Sequence, residues 1–207
     1  MASAERVSCL ISVMARVLIN HGWTNTRQVD HWQRLLAGAL RDAGHLVQYP
    51  QYPNTQKPEF DEWQELLEAE LELLNESGSG ETVVICHSLG CVNFLIAAVR
   101  GLITTPVDRL LLVAPADPRT LGELPKFKLD VASAKAPLGA AAKSVTLVAS
   151  DKDPWLPSGV QAAYADALGL EPVILPGAGH LASGDGFGPW SGVINWLLDP
   201  RANLAER

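Results

Sequence analysis

Three short stretches of the chain carry side chains that could do chemistry together. The first is TVVICHSLGCVNF, Thr82–Phe94, where a strand-like apolar run enters His87-Ser88-Leu89-Gly90 and a helix-like sequence follows. A serine at such a junction has two readings. It is a helix N-cap whose hydroxyl satisfies a free backbone N–H, or it is a nucleophile exposed on a sharp turn. The second stretch, SDKDPWLP, holds Asp151 and Asp153, although an aspartate before proline is also ordinary turn chemistry. The third, PGAGHLASGDGFG, holds His180 in a glycine-rich loop, where a plain exposed histidine is the simpler reading. Together the three types fit acyl transfer. A serine hydroxyl is a weak nucleophile until a base takes its proton, and a neutral imidazole with a pKa of about 6.5 suits that task. A carboxylate then fixes the ring tautomer and stabilises the imidazolium that forms.

The elements around these stretches must bring them to one place. Val17–Asn20 is a short apolar run ending in His21-Gly22. Val29, Trp32, Leu35, Leu36 and Leu40 follow at helical spacing, with Gly44 at the expected stop. HLVQYPQYP reads as a strand closed by prolines, and EFDEWQELLEAELELLNESGSG as a helix with an acidic outer face. TVVIC is a continuous apolar strand of the kind found inside a parallel sheet. A helix is expected over Val92–Arg100, then a strand in RLLLVAPA. Residues 116–142 show no clear pattern. Further strands are expected in SVTLVAS and PVILPG, with helices near Gly159–Gly169 and Val193–Leu198. Six strands alternating with helices predict an α/β fold with a parallel sheet, right-handed crossovers and helices on both faces. In such sheets ligands bind beyond the carboxyl ends of the strands, which is where Ser88, the Asp151/Asp153 pair and His180 all fall.

Composition narrows the function classes. The chain has 207 residues, 47% hydrophobic and 19% charged, with a net charge of −7. This suits one globular domain. An acidic balance argues against nucleic-acid and anionic-membrane partners. Cys9, Cys86 and Cys91 form no CxxC pair, so neither a disulfide framework nor a metal site is expected, and the bland reading is small packed thiols. No apolar run approaches the roughly 20 residues of a membrane span. Val7–Ala15 is apolar, but Glu5 and Arg6 leave the segment before it without net positive charge, unlike a secretory leader. A cytoplasmic location is therefore expected. Met14 resembles a start, with residues 1–14 an N-terminal extension, 15–199 a compact domain and 200–207 a polar tail.

The combination CHSLGC, ASDKDPWLP and PGAGH resembles the elbow, acid and base motifs of the α/β-hydrolases, in their chain order Ser, Asp, His. RVLINHGW, DHWQRLL, YPQYPNTQKPEFDEWQELL and GFGPW are similar to the small, lidless serine hydrolases typified by retinoblastoma-binding protein 9. The resemblance covers about residues 15–198. It implies a single-domain, lidless, three-layer sandwich with a six-stranded parallel sheet and no cofactor. It implies Ser88 as nucleophile, His180 as base and Asp153 as acid. Asp153 is preferred to Asp151 because Ser150, Asp153 and Pro157 fill the family's small-x-x-Asp-x-x-x-Pro acid motif. The backbone N–H groups of Leu89 and Trp23 are the implied oxyanion donors. Cys86 replaces the first glycine of the elbow motif, a departure that a small side chain should tolerate. The Leu-x-Cys-x-Glu element needed for a retinoblastoma-protein partner is absent.

The reaction expected is hydrolysis of a small carboxylic ester through an acyl-enzyme, by a monomer or small homo-oligomer. Amidase, peptidase and acyltransferase chemistry use the same triad, and a binding protein with little turnover is a further alternative. Trp155, Phe127 and Phe187 are candidate pocket walls, and only residues 116–142 could partly cover the site.

Overall fold

The computed structural model describes residues 14–122 and 124–207. Of the expected N-terminal extension only Met14 falls within them, half-exposed; residues 1–13, with Cys9, lie outside the described residues. Among those described, the chain alternates β1 (Arg16–Asn20), α1 (Trp32–Asp42), β2 (Leu46–Gln48), α2 (Phe60–Glu76), β3 (Thr82–His87), α3 (Leu89–Val99) and β4 (Val107–Val113). Then come α4 (Lys135–Ala141), β5 (Ala142–Ser150), a π turn over Gln161–Ala165 entering α5 (Asp166–Leu168), β6 (Val173–Leu175) and α6 (Ser191–Leu198). All six strands are parallel, in the order β2-β1-β3-β4-β5-β6.

The period-2 pleat divides the apolar strand residues between two cores. Leu18, Val84, Cys86, Leu110, Leu112 and Leu147 point to one face, against Trp63, Leu67, Phe94, Leu138 and Tyr164. Val17, Ile19, Val83, Ile85, Leu111, Val113 and Val148 point to the other, against Trp32, Leu36, Leu40, Val193 and Trp196. This is the three-layer α/β sandwich expected, with α1 and α6 on one side of the sheet and α2 to α5 on the other. The central strands read as unbroken apolar runs because both of their faces are covered. Both edge strands are only three residues long, and β6 lies between Pro172 and Pro176.

Several boundaries differ from the sequence reading, each for a local reason. Helix α1 starts at Trp32 because the His31 imidazole caps it, accepting the Gln33 N–H at 3.2 Å. Val29 therefore lies outside the helix and is exposed, and Leu35 falls off the buried stripe. Helix α3 starts at Leu89 rather than Val92, directly after the turn at Ser88. The patternless 116–142 segment folds into 3-10 turns at Pro125–Phe127 and Val131–Ala134, then α4. With only Leu138 and Ala141 buried, α4 has too little apolar periodicity to be seen in advance.

Residues 200–207, expected as a tail, lie back against α6. The Trp190 indole N–H donates to the Leu204 carbonyl at 2.8 Å, and the Gly192 N–H to the Glu206 carbonyl at 2.9 Å. The other end of α6 is tied to the sheet by Arg109, which pairs with both Glu81 carboxylate oxygens and donates to the Trp196 and Leu197 carbonyls. Among the described residues no helix is long and apolar enough to cross a membrane.

Candidate active site

Strand order reverses between β1 and β3, and their carboxyl ends are in register, Asn20 opposite Cys86. This opens a crevice between the loops that follow them, His21–Trp23 and Ser88, as expected at a topological switch point. Ser88 adopts φ 54° and ψ −122°, a region uncommon for a residue with a side chain. Its N–H donates to the Val113 carbonyl at 3.0 Å, which pins the turn to β4. The Ser88 hydroxyl makes no capping bond to α3; its Oγ lies 2.8 Å from His180 Nε2. The hydroxyl therefore does not act as the cap of α3.

Two glycines make the turn possible. A Cβ on Gly90 would lie 2.7 Å from the His21 carbonyl oxygen, and one on Gly22 would lie 2.6 Å from Ser88 Cβ. Cys86, in the first small position, instead turns its side chain into the core with no exposure. There its Sγ accepts from Asn20 Nδ2 at 3.4 Å, and burial pushes the thiol up to about 12. The tight approach falls on Gly90 and Gly22, so a cysteine at 86 is accommodated.

The other two loops complete a hydrogen-bonded chain. Asp153, beyond the end of β5, places its carboxylate oxygens 2.9 and 2.8 Å from His180 Nδ1. Its side chain is fully buried and that of His180 is 13% exposed. Asp151 is exposed and accepts the Gly177 N–H at 2.7 Å, bracing the histidine loop without touching the ring. Among the described residues, neither the Leu89 nor the Trp23 N–H donates to a protein acceptor, and both residues line the crevice beside Ser88. An arrangement of this kind can deprotonate a hydroxyl and hold a developing oxyanion.

The crevice encloses about 550 Å³. Trp23, Leu89, Ala116, Leu121, Pro154 and Trp155 form its apolar wall; Asn25, Gln28, Asp30 and His31 lie on its polar side. Trp155, expected as a pocket wall, is half-exposed with its ring centroid 6.2 Å from that of Trp23. Phe127 and Phe187, also expected there, are not at the crevice. Phe127 is buried against Phe60 and Trp63, because the 3-10 turn at Pro125–Phe127 points it into the core. Phe187 packs on Trp190 under the Arg207 guanidinium. Among the described residues of the 116–142 segment, Ala116 and Leu121 reach the crevice.

Among the residues at the site without an expected role are His31, His87 and Asp185. His87 was visible inside CHSLGC, yet nothing in the pattern shows where its ring points. Burial lowers the pKa of His31 to about 4 and that of His87 far below the ordinary value; it also lowers that of His21, beneath the crevice, to about 4. These imidazoles stay neutral near pH 7. The His21 ring bridges the Gly22 carbonyl at 2.9 Å and the Tyr52 N–H at 3.0 Å, holding the loop that bears Trp23. Among the described residues no group of three or more His, Cys, Asp and Glu could hold a metal ion.

Two outcomes follow from this geometry. Gly22→Ala is expected to slow phosphonate labelling of Ser88 by about 100-fold, a loss expected of an ångström-scale misplacement, with an unchanged circular dichroism spectrum. Acid stability provides the second. His21 and His31 hold fewer protons folded than unfolded between pH 6.5 and about 4. Their contribution is intact above the unfolded value and is lost as the pH falls through that window, by roughly 3 kcal/mol each at its acid end. Urea unfolding across these pH values should show the decline. His31→Asn, which keeps a capping oxygen and cannot titrate, should shallow it.

Comparison with known proteins agrees with this architecture. The YdeN gene product of B. subtilis superposes with a TM-score of 0.73 at 22% identity, covering 89% of this chain and 97% of that one. A structure from the metagenome-derived lipolytic enzymes LipS and LipT gives 0.61 at 17% identity, covering 82% and 87%. Est1E from Butyrivibrio proteoclasticus gives 0.60 at 18%, covering 82% and 81%. At these identities the likeness establishes the fold. A comparison with curated protein sequences gives no match. The serine hydrolase family matches residues 17–199, nearly the whole chain, and the protein is a member of that family.

Proposed function

We propose that the protein hydrolyses small carboxylic esters through an acyl-enzyme on Ser88, with His180 as general base and acid and Asp153 as the orienting carboxylate. The observation that carries this reading is the continuous chain Asp153–His180–Ser88, with 2.8 Å contacts on both ring nitrogens. His180 Nδ1–H donates to Asp153, which leaves Nε2 as the acceptor for the Ser88 proton. As Oγ attacks the ester carbonyl, that proton passes to Nε2, and the negative charge on the carbonyl oxygen is met by the Leu89 and Trp23 N–H groups. The imidazolium protonates the departing alkoxide. Neutral again, the ring takes a proton from the water that attacks the acyl-enzyme, then passes it to Oγ as the acid leaves and the serine is regenerated.

The crevice supports the size limit. A volume of about 550 Å³ is in the ordinary range for small-molecule pockets, and its tryptophan-edged wall offers an apolar seat for a short acyl chain. The structure from the lipolytic enzymes LipS and LipT and that of Est1E share the fold.

A fluorophosphonate probe is expected to label the wild type and to leave Ser88→Ala unlabelled; equal labelling of the two, or none of either, would sink the hydrolase reading. Asp153→Asn should lose about 10³- to 10⁴-fold in kcat, while Asp151→Asn, which keeps an oxygen for Gly177, retains most of its rate. The reverse result would move the acid to Asp151. Acetate and butyrate esters are expected to turn over faster than long-chain ones, and an opposite order in a chain-length series would refute the size limit.

A further inference from the structure

We infer that His87 and Asp185 are positioning residues that grip the main chain of His180 from its two sides and so aim its imidazole at Ser88. The inference rests on the reading of Ser88, His180 and Asp153 as the triad.

His87 Nε2 lies 2.9 Å from the His180 carbonyl oxygen. A carbonyl can only accept, so the ring donates and its tautomer is fixed. On the other side the His180 N–H donates to Asp185 Oδ2 at 2.9 Å, and the same oxygen takes the Ala182 N–H at 3.2 Å. Both polar groups of the base's backbone are thus held by side chains.

The local backbone explains why side chains are needed. Gly179 and Leu181, flanking His180, have φ of +60° and +55°. A chain bent in this way on both sides cannot satisfy itself through a regular ladder. A Cβ on Gly179 would lie 2.1 Å from Asp185 Oδ1, so a side chain there would push the carboxylate off these bonds. Asp185 therefore sits directly under the bend.

His87 is suited to its part. It is 4% exposed, with its ring 5.5 Å from that of His31, 5.7 Å from Trp32 and 5.0 Å from His180. Enclosed among these rings it remains neutral, with a single N–H to place, and that one is given to the His180 carbonyl. His87 also precedes Ser88 in the chain, so one residue fixes the height of the base relative to the serine. Asp153 sets the rotation of the imidazole, but a carboxylate on Nδ1 cannot set where the Cα stands. Reach to Oγ requires both.

The test compares His87→Phe, which fills the space without a donor, with His87→Gln, which restores one. With p-nitrophenyl acetate, His87→Phe is expected to lose about 10- to 100-fold in kcat with KM nearly unchanged, and His87→Gln to recover most of that loss at a similar Tm. Asp185→Ala should fall in the same way as His87→Phe. A purely structural role for His87 predicts instead that kcat tracks Tm and that Gln is no better than Phe; that result, or wild-type kcat in His87→Phe, overturns the inference. The low-field proton NMR signal of His180 Nδ1–H reads the grip without turnover. It should broaden or vanish in His87→Phe, and its persistence unchanged would also overturn the inference. Absence of phosphonate labelling in the wild type would instead strike the hydrolase reading, leaving the NMR result to decide the grip.

Discussion

The turn at Ser88 is the constraint on which the rest of the site depends. A left-handed φ at a residue with a Cβ costs on the order of 1–3 kcal/mol and persists only where its surroundings over-determine it. Here they do. The Ser88 N–H is tied to β4 at Val113, α3 begins at the next residue, and the loop after β1 presses in at Gly22 and Gly90. Reversal of strand order between β1 and β3 brings that loop alongside. Fold topology and the strained turn are in this sense one arrangement: the crevice exists because the strands part there, and the turn projects its hydroxyl into it.

The loops that meet this hydroxyl are held by different means. The His21–Trp23 loop is fastened by a neutral imidazole bridging Gly22 and Tyr52. The loop after β5 is fastened at two further points. The Asp117 N–H donates to the Trp155 carbonyl, and the Asp117 carboxylate accepts the Ser158 hydroxyl at 2.7 Å. Paired with Arg119, Asp117 has its pKa lowered to about 2, so this tie stays charged at any ordinary pH. The His180 loop is braced by Asp151, Ser150, Asp185 and His87. Much of the polar machinery is thus support. The supporting histidines His21, His31 and His87 take part as uncharged donors and acceptors, because burial makes charging them costly.

Most of the architecture is legible in the sequence because parallel strands covered on both faces are written as continuous apolar runs. VVIC, LLLV and TLVAS need no further context. The order of Ser88, Asp153 and His180 at the ends of such runs is equally plain. What is not legible depends on direction rather than residue type. Phe127 and Phe187 stand in loops of the expected kind, but a single turn decides whether an aromatic faces the crevice or the core, and both turn inward. Helix α4 is hidden because it buries little. Asp185 lies five residues beyond His180 in a run of glycines, a separation with no helical or strand period to give it meaning. His87 is in full view within its motif, but its partner, a carbonyl 93 residues away in sequence, leaves no trace in the residue types.

The shape of the sheet has one more consequence. Its long strands are inside and its edges, β2 and β6, are three residues each, the latter bracketed by Pro172 and Pro176. Proline offers no N–H to a ladder, and so short an edge gives an incoming strand little to pair with. A sheet this rich in valine, isoleucine and leucine would otherwise template its own growth. By tapering at both margins, the outline of the sheet itself works against strand addition.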